Sequence, residues 1–339
     1  MRTPTAAPAA REQHAPAAEQ QEEQQPPQRS CRFVCVAGGV RLHVTTAGSP
    51  AAPAVLLLHG FPDSAALWEG VLTALSRRFF CVAPDLHGLG RSDRPAALAA
   101  YRLPAVAAAL VELLDALQLR RAAVVGHDWG AAAAWALTLA APERVSRLAA
   151  LSVGHPGGGA AVDPGQRPRW WYMLLFAAPG AEDALAARDW ALLREVLRPG
   201  CSPGQVQRYV HDLRQPGALS GALNWYRANT SARTFGRTQP WLRHVGRVRV
   251  PVLGVWSSGD KALGEAQMLA SARWCDDWTY ARLEGAGHWM MRDAPTELND
   301  LLLRWLGDGD GDGDGSGRDG GTGGAGRLPS GARQPLAKL

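Results

Sequence analysis

The chain has 339 residues, 46% of them hydrophobic, enough for one large domain or two around a sizeable buried core. Its formal net charge of +5 is carried by arginine, Lys261 and Lys338 being the two lysines, and no basic run is interleaved with aromatics, which argues against a nucleic-acid partner. Five scattered cysteines (31, 35, 81, 201, 275) lack metal-ligand spacing and fit a reduced, cytoplasmic protein, and the longest apolar run, Ala131 to Ala141, is too short to span a bilayer, so no transmembrane segment is expected.

Residues 1–30 are rich in Gln, Glu, Ala and Pro without an aromatic residue, and a disordered N-terminal tail is expected there. Glu12, Glu19, Glu22 and Glu23 count against a transit peptide. Phe33–Val36 and Val40–Thr46 read as a leading pair of strands, and Ala54–His59 as a fully buried one. A helix over Ala65–Arg77, a strand over Phe80–Pro84 and a helix over Leu103–Leu119 follow. Next come a strand over Ala122–His127, a helix over Ala131–Ala141 and a strand over Arg147–Ser152. Strands alternating with helices predict a parallel α/β sheet.

From Pro156 to Val245 the pattern turns helical and dense in Trp and Pro. Strands return at Val250–Trp256 and Trp278–Leu283, with helices over Gly264–Arg273 and Ala294–Leu306. The expected organisation is a core of residues 31–155 and 246–306, a helical lid over 156–245 and a disordered Gly/Asp-rich tail over 307–339. Trp170, Trp171, Tyr172, Phe176, Trp190, Tyr209, Trp225 and Tyr226 are expected to line a pocket under the lid. The run from Asp308 has the spacing of half a calcium loop, but position twelve is Asp319 rather than Glu and no helix follows. A flexible acidic linker is the expectation there, with no metal.

The chemistry concentrates at Gly126-His127-Asp128-Trp129-Gly130, between a strand and a helix. This is the outline of a nucleophile elbow, in which small residues two positions either side of the nucleophile relieve a strained backbone. Asp stands where an esterase carries Ser. A carboxylate is already ionised at neutral pH and can attack saturated carbon, opening an epoxide or displacing a halide. The bland alternative is Asp128 as an ordinary helix N-cap.

A triad of this order needs an acid and then a base further along the chain. Asp260 closes the strand Val250–Trp256, and His288 sits in the glycine-rich Gly285-Ala286-Gly287-His288-Trp289. Backbone N–H groups of Trp129 and Phe61 are placed to form an oxyanion hole; Pro62 has no N–H to offer. His43, His211 and His244 read as surface or structural residues.

Several motifs together resemble one family: His59-Gly60-Phe61-Pro62, Asp85-Leu86-His87-Gly88-Leu89-Gly90-Arg91-Ser92, Gly126-His127-Asp128-Trp129-Gly130, His155-Pro156, Leu223-Asn224-Trp225-Tyr226-Arg227 and Gly287-His288-Trp289. Over about residues 31–306 the chain is similar to the epoxide hydrolase branch of the α/β-hydrolases. His87 departs from the Arg or Tyr that related enzymes often carry. The resemblance implies a mostly parallel central sheet flanked by helices, with an inserted helical lid. It further implies conversion of a small apolar epoxide and water to a vicinal diol through a covalent Asp128 ester, with no metal or organic cofactor. Two lid tyrosines, Tyr226 and Tyr172, would hold and protonate the epoxide oxygen, with Trp129 and Pro62 also against the substrate. A haloalkane or haloacid dehalogenase and a non-catalytic ligand-binding member are the alternatives on the same fold.

Overall fold

The structure, a computed structural model, describes residues 29–161, 169–230 and 246–307. The expectations for the two tails, the calcium-like run and His244 lie outside the described residues, apart from Arg29, Ser30 and Gly307, which the structure places in regular elements.

Among the described residues, eight strands form one sheet in the order β1-β2-β4-β3-β5-β6-β7-β8. They are β1 (Arg29–Val36), β2 (Val40–Ala47), β3 (Ala54–Leu58), β4 (Phe80–Pro84), β5 (Ala122–His127), β6 (Val145–Leu151), β7 (Val252–Ser257) and β8 (Trp278–Leu283). β1 and β2 pair antiparallel and β2 meets β4 antiparallel, whereas β4 through β8 are mutually parallel. The central strands β4 and β5 are buried along their whole length, and β3 is buried from Val55 on. Such strands lack polar alternation because both faces are covered.

Helices α1 (Glu69–Leu75), α2 (Leu103–Ala116) and α3 (Trp129–Ala140) connect these strands. The chain steps one way from β3 to β4, then back past β3 to β5 and on to β6. Because parallel crossovers are right-handed, this reversal puts α1 on one face and α2 and α3 on the other. In keeping with that, α2 packs on α3, and α1 packs on the final helix, Pro295–Gly307. Ligands of open α/β sheets bind where the direction of travel reverses, beyond the carboxyl ends of the strands. Here that place lies between the ends of β3 and β5.

Between β6 and β7 the described residues form α4 (Trp171–Ala177), α5 (Ala181–Leu197), α6 (Pro203–Leu213) and α7 (Ala218–Asn229), with no strand among them. α5 is kinked at Ala187–Trp190. A capping box between Ser202 and Gln205 starts α6. Three more helices complete the core: α8 (Glu265–Ala270), α9 (Met290–Asp293) and α10 (Pro295–Gly307).

Some boundaries differ from the sequence expectation. α3 begins at Trp129 rather than Ala131, because Asp128 alone makes the turn. α2 stops at Ala116, ahead of Gln118 at φ 59°. The helix expected over Gly264–Arg273 divides into α8 and a 3-10 turn at Ser271–Trp274.

Candidate active site

Asp128 sits at φ 53°, a left-handed conformation that L side chains rarely adopt. The strain is tolerated because the flanking backbone fits tightly. A Cβ on Gly130 would strike the carbonyl oxygen of Leu58, and one on Gly126 would strike the backbone of Gly130. A Cβ on Gly60 would collide with the Asp128 carboxylate itself. The small residues flanking Asp128 thus answer the steric demand of the elbow.

The turn aims the Asp128 carboxylate into the crevice between β3 and β5. Its Oδ1 accepts the Phe61 N–H at 2.9 Å, and the Trp129 N–H also bonds the carboxylate. His288, in the loop after β8, places Nε2 3.9 Å from Asp128 Oδ2. Its Nδ1 lies 2.9 Å from Asp260 Oδ2, in the loop after β7. Asp260 is fixed in turn, its Oδ1 accepting the N–H groups of Ala262 at 2.8 Å and Leu263 at 2.9 Å. The structure therefore brings together Asp128, Asp260, His288, Phe61 and Trp129.

Burial pushes the Asp128 carboxyl up, against the pull of His288 and of the Trp129 and Phe61 N–H groups. Burial opposes charge on His288, but the Asp260 and Asp128 carboxylates prevail and raise its imidazolium to about 9. For Asp260 burial is again opposed by His288 and by the Leu263 and Ala262 N–H groups, and the net direction is down. The His288 ring thus lies between two carboxyl groups, and the three groups titrate as a unit.

A cavity of 160 Å³ opens over Asp128 and His288. Phe61 and Trp289 line it from the core, and Tyr172, Phe176 and Tyr226 from the helical insert. The rings of Tyr172 and Tyr226 meet edge to face with centroids 6.2 Å apart. Burial and the Asp128 anion push both phenols far above their ordinary value, so each is an O–H donor at any working pH.

Of the aromatics expected in this cavity, Trp171, Tyr172, Phe176 and Tyr226 line it; Trp170, Trp190, Tyr209 and Trp225 do not. Trp225 turns into the core, where its Nε1–H donates to the His87 carbonyl at 2.8 Å. Tyr209 donates to Asp63 at 2.8 Å, and Trp190 is buried beside the kink in α5. Trp129 backs Tyr226 edge-on at 5.2 Å rather than reaching the cavity. Pro62 lines a separate cavity of 590 Å³ with Asp63, His43 and Asp85, so it does not wall the space over Asp128. His43 is the structural residue expected, buried with Nδ1 3.0 Å from Asp85 Oδ2. His211 is exposed at the rim of that second cavity.

Two features escaped sequence reasoning. His127 is fully buried, and its Nε2 bonds the His288 carbonyl at 2.9 Å, steadying the base loop from within the elbow. Asp63 joins Tyr209, Trp289 and Arg292. The available signal was their adjacency to motif residues: His127 precedes Asp128, Asp63 follows Pro62 and Trp289 follows His288. Among the described residues no group of three His, Cys, Asp or Glu side chains is arranged to hold a metal ion, and no helix is long and apolar enough to cross a membrane.

Known proteins resemble this chain over the same region. A family model described as alpha/beta hydrolase fold matches residues 53–295. The AB hydrolase superfamily protein YfhM of Bacillus subtilis (strain 168) is 31% identical over 286 residues, covering 81% of this chain and 97% of that protein. Epoxide hydrolase A of Mycobacterium tuberculosis is 33% identical over 315 residues, covering 79% and 94%. A solved structure from work on novel epoxide hydrolases in metagenomes from hot environments superposes with a TM-score of 0.73 at 29% identity, covering 82% of this chain and 98% of that one. The chain belongs to the alpha/beta hydrolase fold family, on the branch that holds these epoxide hydrolase relatives.

Proposed function

We propose that the protein is an epoxide hydrolase that forms a covalent ester at Asp128, under a lid made by residues 156–245. The observation that carries this reading is the placing of a buried carboxylate, rather than a hydroxyl, between two backbone N–H groups and beneath two phenols. Relatives named as epoxide hydrolases add weight.

Asp128 attacks a ring carbon of the epoxide, and the C–O bond of the ring breaks. Tyr172 and Tyr226 donate hydrogen bonds to the leaving oxygen, which takes the proton of one phenol as the ring opens, and that phenol is reprotonated from solvent. Esterification removes the negative charge of Asp128, and with it one of the charges that hold His288 protonated. His288 then releases its proton to solvent and becomes a competent base at the point in the cycle where one is needed. It takes a proton from water, and the water oxygen attacks the ester carbonyl carbon. The Phe61 and Trp129 N–H groups receive the oxyanion. Cleavage of the bond between that carbon and the diol oxygen, with return of a proton from His288, frees the vicinal diol; the proton left on the Asp128 carboxyl then passes to His288, which restores the carboxylate and the imidazolium.

A panel of styrene oxide, a fatty-acid epoxide and an aryl glycidyl ether tests the reading, with halide release from alkyl halides measured in parallel. Diol formation on any of the three supports it. Halide release far faster than any epoxide opening would replace it with a dehalogenase.

A further inference from the structure

Asp63 follows the Phe61-Pro62 pair, is 5% exposed and plays no part in the steps above. Its carboxylate joins its own loop to two segments far apart in sequence. Oδ2 accepts the Trp289 Nε1–H at 2.7 Å. Oδ1 accepts the Tyr209 hydroxyl at 2.8 Å and an Nη2–H of Arg292. Arg292 Nη1 also donates to the Tyr209 oxygen. A buried carboxylate without partners would be costly. Here every partner is itself tied to another, so the group has one low-energy arrangement.

Each segment carries a part of the site. Trp289 follows His288, its ring 4.9 Å from the imidazole, and also lines the cavity. Phe61, two residues before Asp63, donates to Asp128. Tyr209 belongs to α6 of the lid. His288 and the Phe61 N–H serve ester hydrolysis, whereas the phenols of ring opening sit on α4 and α7, outside this network.

We infer that Asp63 is a positioning residue for the second half-reaction: it clasps α6, the Trp289–Arg292 turn and the Phe61 loop together, so that the base and the oxyanion donor are set only while the lid is docked. The inference rests on the hydrolase reading for its kinetic form, but the clasp itself is a physical coupling that can be measured without substrate.

The charge of Asp63 also reaches His288. The carboxylates facing this imidazole are Asp260, Asp128 and Asp63. Arg292 stands behind them, Arg169 and Lys261 lie on the cavity wall, and His127, kept neutral by burial, has its ring 4.6 Å away. Removing the Asp63 charge therefore lowers the His288 titration, which a purely mechanical role would not do.

The test uses Asp63→Asn and, as the milder change, Tyr209→Phe. Rapid-quench single turnover of styrene oxide separates alkylation from ester hydrolysis. NMR follows the His288 ring, and hydrogen exchange follows the backbone. In Asp63→Asn, ester hydrolysis should slow by about tenfold or more, a part of what a well-placed base supplies, while alkylation stays within about threefold. The His288 titration should move to lower pH. In Tyr209→Phe, exchange over residues 288–293 should quicken together with that over 203–213, although the substitution is confined to the lid. Equal slowing of both half-reactions, no slowing of either, or unchanged exchange over 288–293 would overturn the clasp. If Asp63→Asn does not fold, the exchange data on Tyr209→Phe decide. If the wild type opens no epoxide, the hydrolase reading falls, and exchange and titration still decide the clasp.

Discussion

His288 Nε2 faces Asp128 Oδ2 at 3.9 Å, too far for a hydrogen bond and close enough for an ion pair. A serine nucleophile must touch its histidine, because the histidine takes its proton. In the proposed reaction Asp128 attacks as a carboxylate with no proton to give up, so the gap costs the first step nothing. The proposed reaction needs the histidine later, for water.

Asp128→Asn should keep the fold, the side chains being nearly isosteric, and lower epoxide turnover by about 10³-fold or more through loss of the anionic nucleophile. Initial rates taken promptly after purification, before the amide can deamidate, check this. Near-wild-type diol formation would remove Asp128 from its role.

His288→Gln should form the ester and fail to hydrolyse it. Intact-mass measurement after one turnover should show protein plus one epoxide. An unmodified mass, from a variant that has consumed one equivalent, would count against His288 as the base of the second step.

The raised titration of His288 sets a window for stability. Its folded value, about 9, lies above the ordinary 6.5. Protonated His288 therefore stabilises the fold fully below about 6.5, and that contribution fades as the pH rises through about 9. The melting temperature of wild type relative to His288→Gln should be highest near pH 6 and should fall steadily up to pH 9–10. A difference that is flat across this window would show that the imidazole is not held by Asp260 and Asp128 in the folded state.

Tyr172→Phe and Tyr226→Phe should each cost about 100-fold in epoxide opening, as the loss of a single oxyanion donor typically does. The double variant should be nearly inactive on epoxides, while any halide displacement survives, since a halide leaves without a proton. Steady-state rates on styrene oxide and on an alkyl halide check both limbs. Epoxide opening by the double variant at close to the wild-type rate would remove the phenols from the reaction.

The parts of the site that were legible in the sequence share one property. Asp128, Asp260, His288 and Phe61 each follow a strand by a few residues, and strand ends are marked by local apolar runs and glycines. Side-chain direction on the insert was less legible. Trp225 and Tyr226 are neighbours on α7, yet one helical step sends Tyr226 into the cavity and Trp225 to the His87 carbonyl. An inventory of aromatics cannot tell these apart when the helix is aromatic on more than one face. Least legible was the Asp63–Arg292 pair, whose partners lie 229 positions apart with no local pattern to connect them. The helix start at Trp129 was misplaced because a single strained residue did the work of a loop.

The reversal of travel at β4 gives the molecule a division of labour. In the proposed reaction every group that makes or breaks a bond, the two phenols excepted, arrives at the site on the ends of strands whose spacing is dictated by hydrogen-bonded pairing. What meets the rest of the substrate comes largely from a single insertion between β6 and β7. Under the proposed function, exchanging one contiguous stretch of chain would change what the site admits without changing its chemistry. The two phenols mark where that freedom stops, because they are chemical groups carried on the exchangeable part.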